Sequence, residues 1–435
     1  MMFLQSRLNM KLDVLRPGWD QLQEEGIVNA EGARLFRSDG SSLLDAAGQF
    51  GVNAIGFGRK DIADVIAETI WKRSHLSPTL QCPERIALAE VLKQKWLHPN
   101  LDRVHFVNSG SEANEAAIRL ARHYHYLRGK RTKWKIISRE YSYHGTTMGA
   151  LSMTTNAFRR KGLEPYLAEM PVVPSCYCAE GESENSVNKA LDALRATIES
   201  HGADSIAAMI VEPIGASSSG ATASPPEYWQ EVEELCRQHD ILLISDEVVT
   251  GFGRTGSRMG YDQAGFVPDI ISMAKGLTGG YGALGAVSGR GEIFEVLEAG
   301  GLPLFYHTLG GNPPACAAAF ENLKVIEEEN LLDRVDDMGS RLGELLRPLR
   351  FQKGVKDVRG VGMLWAVEVE PLPGLDIKPS ALIVKKGIEK GVFYWPGGVS
   401  EDHNIICFAP PFTVSEEDLI RMVVVLEDVI SELYL

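Results

Sequence analysis

Two short apolar runs constrain this chain more than its other features do. Residues 241–244 (ILLI) and 270–273 (IISM) are rich in β-branched or long aliphatic side chains, the pattern of strands buried on both faces of a parallel sheet. Asp246 closes the first run and Lys275 follows the second. In a parallel sheet both side chains emerge at the carboxyl edge, where α/β proteins place their ligands. A chain of 435 residues, 44% of them hydrophobic and 23% charged, has material for two or three domains around such a sheet.

An amine and a carboxylate at neighbouring strand ends suit pyridoxal phosphate. That cofactor needs a lysine for a Schiff base and a carboxylate to keep its pyridine nitrogen protonated, so that the ring accepts electrons. Taken singly, an aspartate and a lysine favour a plainer reading, with Asp246 capping a loop and Lys275 solvated at the surface. Their context decides. SDEVVTGFGRTG and the following PDIISMAKG resemble the class III aminotransferases, a subgroup of the fold-type-I pyridoxal phosphate enzymes. The resemblance implies that Asp246 pairs with the pyridine nitrogen, Val248 packs on the ring face and Lys275 carries the cofactor.

Other segments supply their own readings. VHFVNSGSEANEAAIRLARHY reads as strand, turn and helix, with Ser109 and Glu112 spaced as a capping box. Ala113, Ala116, Ala117, Leu120, Ala121 and Tyr124 then fall on one helical face. A capped helix start after a Ser-Gly-Ser turn offers free N–H groups and the positive end of the helix dipole, an anion site. The resemblance makes it the cofactor-phosphate loop, with Ser109, Gly110 and Ser111 as ligands. It also places Tyr143 against the pyridine ring, with His144 beside it equally open to a structural role. Glu212, at the end of the apolar strand 206–211, would support the ring or a pocket arginine. Thr308, in FYHTLGGNP, would reach the phosphate from the partner subunit, which implies a homodimer with shared active sites. Phe50 lies in the glycine-rich GQFGVNAIGFG, a loop whose backbone must approach something closely, and it matches an aromatic position at the channel mouth.

Residues 251–256 (GFGRTG) fit a dinucleotide-binding GxGxxG, but that fingerprint requires a helix opening at the last glycine, and Gly260, Gly265 and Pro268 interrupt one. Asp39-Gly40 between apolar runs predicts a hairpin, and DIADVIAETIWKR predicts an amphipathic helix capped by Asp61, with Ile70 on its buried face. The net charge of −14 argues against binding nucleic acid or anionic membranes. The basic run 128–135 reads as a solvated helix end and loop. Six cysteines at 82, 176, 178, 236, 316 and 407 form neither a disulfide framework nor a zinc site, and no HExxH pattern or membrane span is present, so no metal is expected. The expected compartment is the reducing cytoplasm.

The expected architecture is therefore α/β, the aspartate-aminotransferase-like fold type I. It has a large domain with a mostly parallel sheet over residues 66–320, and a smaller α/β domain built from residues 321–435 joined by residues 1–65. The expected function is transfer of an amino group from an amino donor to a keto acid or other carbonyl acceptor by a ping-pong mechanism. An aminomutase or racemase of the same fold is the alternative. Among members that accept an α-carboxylate, an arginine often precedes the C-terminal PPF segment. Here GGVSEDHNIICFAPPF has none, and Arg159, Arg254 and Arg359 cannot be ranked as replacements from sequence.

Overall fold

The structure is a computed structural model that describes residues 26–177, 183–302, 306–372, 374 and 377–435. Cys178, Phe305 and the Arg16-Pro17-Gly18 segment lie outside the described residues. The first strands are β1 (Ile27–Glu31), β2 (Arg34–Arg37) and β3 (Ser42–Asp45). Next come β4 (Arg103–Val107), β5 (Lys135–Arg139), β6 (Val172–Val173), β7 (Ile206–Val211), β8 (Leu242–Asp246), β9 (Ile270–Met273) and β10 (Gly285–Gly289). The chain ends with β11 (Val355–Val361), β12 (Leu364–Val369), β13 (Val392–Phe393), β14 (Trp395–Gly397) and β15 (Asn404–Phe408).

Strands β4 to β10 form a seven-stranded sheet in the order β4-β10-β9-β8-β7-β5-β6. Its run from β9 to β6 is parallel, and β10 is antiparallel to both neighbours, so the sheet is mixed at one edge. Every residue of β7, β8, β9 and β10 is buried, because helices cover both faces. Alternate side chains divide between two cores, as the two-residue strand period requires. Ala208, Leu242, Ile244 and Ile270 pack with the small-residue face of the helix Gly110–Leu127. Met209, Leu243, Ile271 and Met273 pack into the opposite core, which also holds Tyr228, Trp229 and Val232 of the helix Pro226–Gln238.

Two smaller sheets adjoin the large one. One has the order β1-β2-β3-β13 and the other β11-β12-β15-β14. The pairing of β3 with β13 is parallel and joins Asp45 to Phe393, far apart in the chain. The hairpin at Asp39-Gly40 forms, with the Asp39 carboxylate accepting from the Ser41 N–H at 2.8 Å.

Three local expectations are corrected. The helix Lys60–Arg73 begins one residue before Asp61, so Asp61 is not its cap; its carboxylate binds Arg59 instead. Ile70 is half exposed, since the buried face of that helix is centred on Ile62 and Thr69. Lys133, in the basic run, is fully buried and donates to the carbonyls of Ala203, Ile206, His239 and Asp240 at 2.9–3.0 Å.

Candidate active site

The register of the large sheet sets Asp246 opposite Ser272 on the adjacent parallel strand, with Lys275 two residues past the end of β9. Both therefore stand at the carboxyl edge. Lys275 has a left-handed backbone, φ 43°, which for a residue with a side chain is a strained conformation fixed by its surroundings. Burial brings its ammonium down to about 8, against the pull of the Asp246 and Glu212 carboxylates, which favour the charged form. The amine lies 5.2 Å from the centre of the Trp395 ring.

Asp246 is buried and held on every side. Its Oδ2 accepts from Asn114 Nδ2 at 2.7 Å and faces His144 Nδ1 at 2.8 Å, and its Oδ1 accepts from the Val248 N–H at 3.1 Å. A carboxylate only accepts, so the His144 proton sits on Nδ1, leaving Nε2 buried without a partner. Asn114 also donates to the His144 carbonyl at 2.6 Å, locking the imidazole and the carboxylate together. His144 is thus a support of Asp246.

Glu212 is the second buried carboxyl. It accepts from the N–H groups of Tyr143 at 3.0 Å and Ala216 at 3.2 Å, and burial raises its pKa. The carbonyl of Glu212 takes a bond from the buried Arg139 at 2.5 Å. Tyr143 is thereby fixed by its backbone, and its ring lies 5.8 Å from the Arg159 guanidinium.

The Ser-Gly-Ser turn opens the helix that packs on the large sheet. Ser109 caps the helix Gly110–Leu127, its hydroxyl accepting from the Glu112 N–H at 3.2 Å. The box is only half formed, because the Glu112 carboxylate reaches the Asn108 N–H at 2.7 Å and not that of Ser109. The N–H groups of Gly110 and Ser111 have no acceptor among the described residues. A Cβ on Gly110 would lie 2.8 Å from a methyl of Val248, so this turn and the residue after Asp-Glu close on one space.

Phe50 sits at the rim, 41% exposed, in edge contact with Phe393 and Trp395 at 5.8 and 5.9 Å. Its loop does make the close approach its glycines suggest: a Cβ on Gly48 would lie 2.0 Å from the Ala409 carbonyl oxygen. Gln49 and Phe50 are left-handed (φ 51° and 65°), with Gln49 bound to the buried Asp45. Thr308 is exposed in a turn beside the Gly110–Leu127 helix start, where His307 lies 3.6 Å from Glu112. Within one chain it does not join the Lys275 cluster.

Sequence reasoning missed Asn114 and Trp395. Asn114 carried a signal, being the one amide in a helical face of alanines that packs on the sheet. Trp395 had none, since its place depends on β14 crossing to the sheet edge.

A buried lysine poised near neutrality, a clamped carboxylate and an unbonded helix start, all at one edge of this sheet, define an amino-group-transferring enzyme of fold type I. The chain belongs to the Aminotransferase class-III family, whose profile matches residues 20–430. It is 39% identical to the uncharacterized aminotransferase YhxA of Bacillus subtilis (strain 168), over 90% of this chain and 88% of that one. It is 32% identical to the hypotaurine/taurine–pyruvate aminotransferase of Paracoccus denitrificans (strain Pd 1222), over 96% and 93%. Among solved structures it resembles an amine transaminase from an uncultivated Pseudomonas species in the PLP-bound form. That match has TM-score 0.90 and 28% identity, covering 98% of this chain and 100% of the other. This chain is a class III aminotransferase.

Proposed function

We propose that this aminotransferase works with pyridoxal 5′-phosphate carried on Lys275, moving an amino group from an amino donor to a keto acid or other carbonyl acceptor in two half-reactions. The observation that carries the reading is the Lys275 amine, buried and brought to about 8 beside a clamped carboxylate. The residues fit the group: the unbonded Gly110 and Ser111 N–H groups suit its phosphate, and the missing Cβ of Gly110 lets that turn pack directly on Val248. Relatives named for transfer to pyruvate, such as the omega-amino acid–pyruvate aminotransferase of Pseudomonas putida (31% identical over 94% of this chain), support pyruvate as an acceptor to test.

When bound, the cofactor supplies an electron-accepting ring. Asp246 holds a proton on the ring nitrogen, and His144 and Asn114 keep that carboxylate in place. Residues 109–111 bind the phosphate, joined by Thr308 of the partner subunit in a homodimer. Tyr143 lines the ring, Val248 packs on its face, and Glu212 holds Tyr143. The freed Nζ of Lys275 takes a proton from the amine-bearing carbon of the donor. The same nitrogen returns one to the carbonyl carbon of the acceptor. A base near 8 suits both directions at neutral pH. Residues 66–320 form the domain that holds these groups. Residues 1–65 and 321–435 form the smaller one, a division that the β3–β13 pairing supports. The buried free thiols of Cys82, Cys176, Cys236, Cys316 and Cys407 accord with a cytoplasmic setting.

The test is stoichiometry. With an amino donor alone, conversion should stop near one equivalent per subunit; adding pyruvate should restore turnover, with one alanine per donor consumed. Sustained conversion of the amine without any keto acid would overturn the reading in favour of a mutase or racemase.

A further inference from the structure

Asp45, the last residue of β3, carries a fully buried carboxyl. Its Oδ1 accepts from the Gln49 N–H at 3.3 Å, and its Oδ2 accepts from Gln49 Nε2 at 3.2 Å. Burial raises its pKa to about 6, against the pull of these bonds and of the Ala47 and Gly48 N–H groups, so near pH 8 it is a charged acceptor. Backbone and side chain of Gln49 thus close on a single carboxylate.

That grip holds a strained turn. Residues 48–51 all have positive φ, and glycine occupies only the two ends. Gln49 (φ 51°, ψ 50°) and Phe50 (φ 65°, ψ 41°) between them carry side chains. A left-handed residue with a Cβ is unfavourable and persists only where its surroundings over-determine it. The turn delivers a ring. Phe50 meets Phe393 and Trp395 edge-on, and Trp395 stands 5.2 Å from the Lys275 amine. Asp45 also pairs in register with Phe393 across β3 and β13. One residue therefore fixes this aromatic contact from both sides, through its backbone at Phe393 and through Gln49 at Phe50.

We infer that Asp45 is a positioning residue: through Gln49 it holds the left-handed turn that sets Phe50 against Trp395, and so governs how bulky a group reaches Lys275. The access half of the inference rests on the transaminase reading; the grip on the turn stands apart from it.

Glycine at position 49 separates strain from contact, because it takes the left-handed conformation freely and needs no tether. Holoenzymes of the native protein, Asp45→Ala, Gln49→Gly and the double variant are challenged at pH 8 with hydroxylamine and with phenylhydrazine, which both capture the lysine-bound aldehyde and differ in bulk. Asp45→Ala should raise the rate ratio of phenylhydrazine to hydroxylamine about threefold or more, and most of that change should vanish when residue 49 is glycine. An unchanged ratio, or the same change in both backgrounds, overturns the inference. The second result would trace the effect to Arg254, a buried cation that the Asp45 charge favours whatever stands at position 49. Thermal melting of the same four proteins reads the coupling without chemistry. The drop in Tm caused by Asp45→Ala should be smaller by about 2 °C or more in the glycine background; equal drops overturn the grip. If Asp45→Ala does not fold, Asp45→Asn, which keeps one neutral acceptor, takes its place with the same signs expected. If the native protein forms no lysine-bound band, the transaminase reading fails while the melting cycle still judges Asp45.

Discussion

At the scale of the residue, Lys275 sets the pH behaviour. Its pKa in the fold, about 8, lies below the ordinary lysine value of 10.5. Between the two values the unfolded chain binds the extra proton, so this residue's contribution to stability rises with pH across that window. Below about 8 its destabilising effect is constant. Capture of a carbonyl needs the free amine, so incorporation of pyridoxal phosphate into cofactor-free protein should quicken as pH rises toward 8 and level off above it, as read by stopped-flow absorbance. A flat profile from about pH 6 to 9 would contradict the burial argument. Asp246→Asn removes a charge that favours the ammonium, so the midpoint should move down. The rate of the first half-reaction should also fall about a hundredfold or more, since the ring nitrogen loses its counter-charge; near-normal single-turnover rates would remove Asp246 from that role. Lys275 and Asp246 were legible because strand-end positions follow from period and run length. Asn114 was not assigned, because a polar residue on a buried helical face announces a partner without saying which one.

At the scale of the element, the strand of Asp246, the strand before Lys275 and the helix that starts at Gly110 are rigid, and the chemistry hangs from their ends. The apolar runs 206–211 and 270–273 needed no tertiary knowledge, and they form as β7 and β9. Cap details were less visible, since Glu112 had two neighbouring N–H groups within reach and chose Asn108. The left-handed turn at Gln49 and Phe50 was illegible beyond its glycines, because it depends on Asp45 at the end of β3 and on Ala409 just past β15. A methyl added at Gly110 would press on Val248, a β-branched side chain with little rotamer freedom. Gly110→Ala should therefore weaken cofactor binding by about tenfold or more, costing about 1–3 kcal/mol as overpacking does. Equilibrium titration of the cofactor checks this, and unchanged affinity would separate the turn from the cofactor space. Gly285→Ala, whose Cβ would lie 2.4 Å from the Ser109 carbonyl oxygen, should disturb the same turn through the sheet.

At the scale of the whole molecule, three sheets contribute to one hydrophobic core, and the N-terminal strands join a strand near residue 392. Such long-range pairing leaves no local trace; only the family resemblance foretold it. The proposed homodimer predicts a particle of about twice 47.7 kDa by light scattering, and a weaker hold on the cofactor phosphate in Thr308→Ala. A monomer with full activity would contradict shared sites. The most direct test of the central claim is spectroscopic. Native protein and Lys275→Ala are each given pyridoxal phosphate, then an amino donor with no keto acid, then pyruvate. The account predicts a visible band of lysine-bound cofactor in the native protein alone, bleached by the donor and restored by pyruvate. A band of equal strength in Lys275→Ala, or one that no donor bleaches, would contradict it.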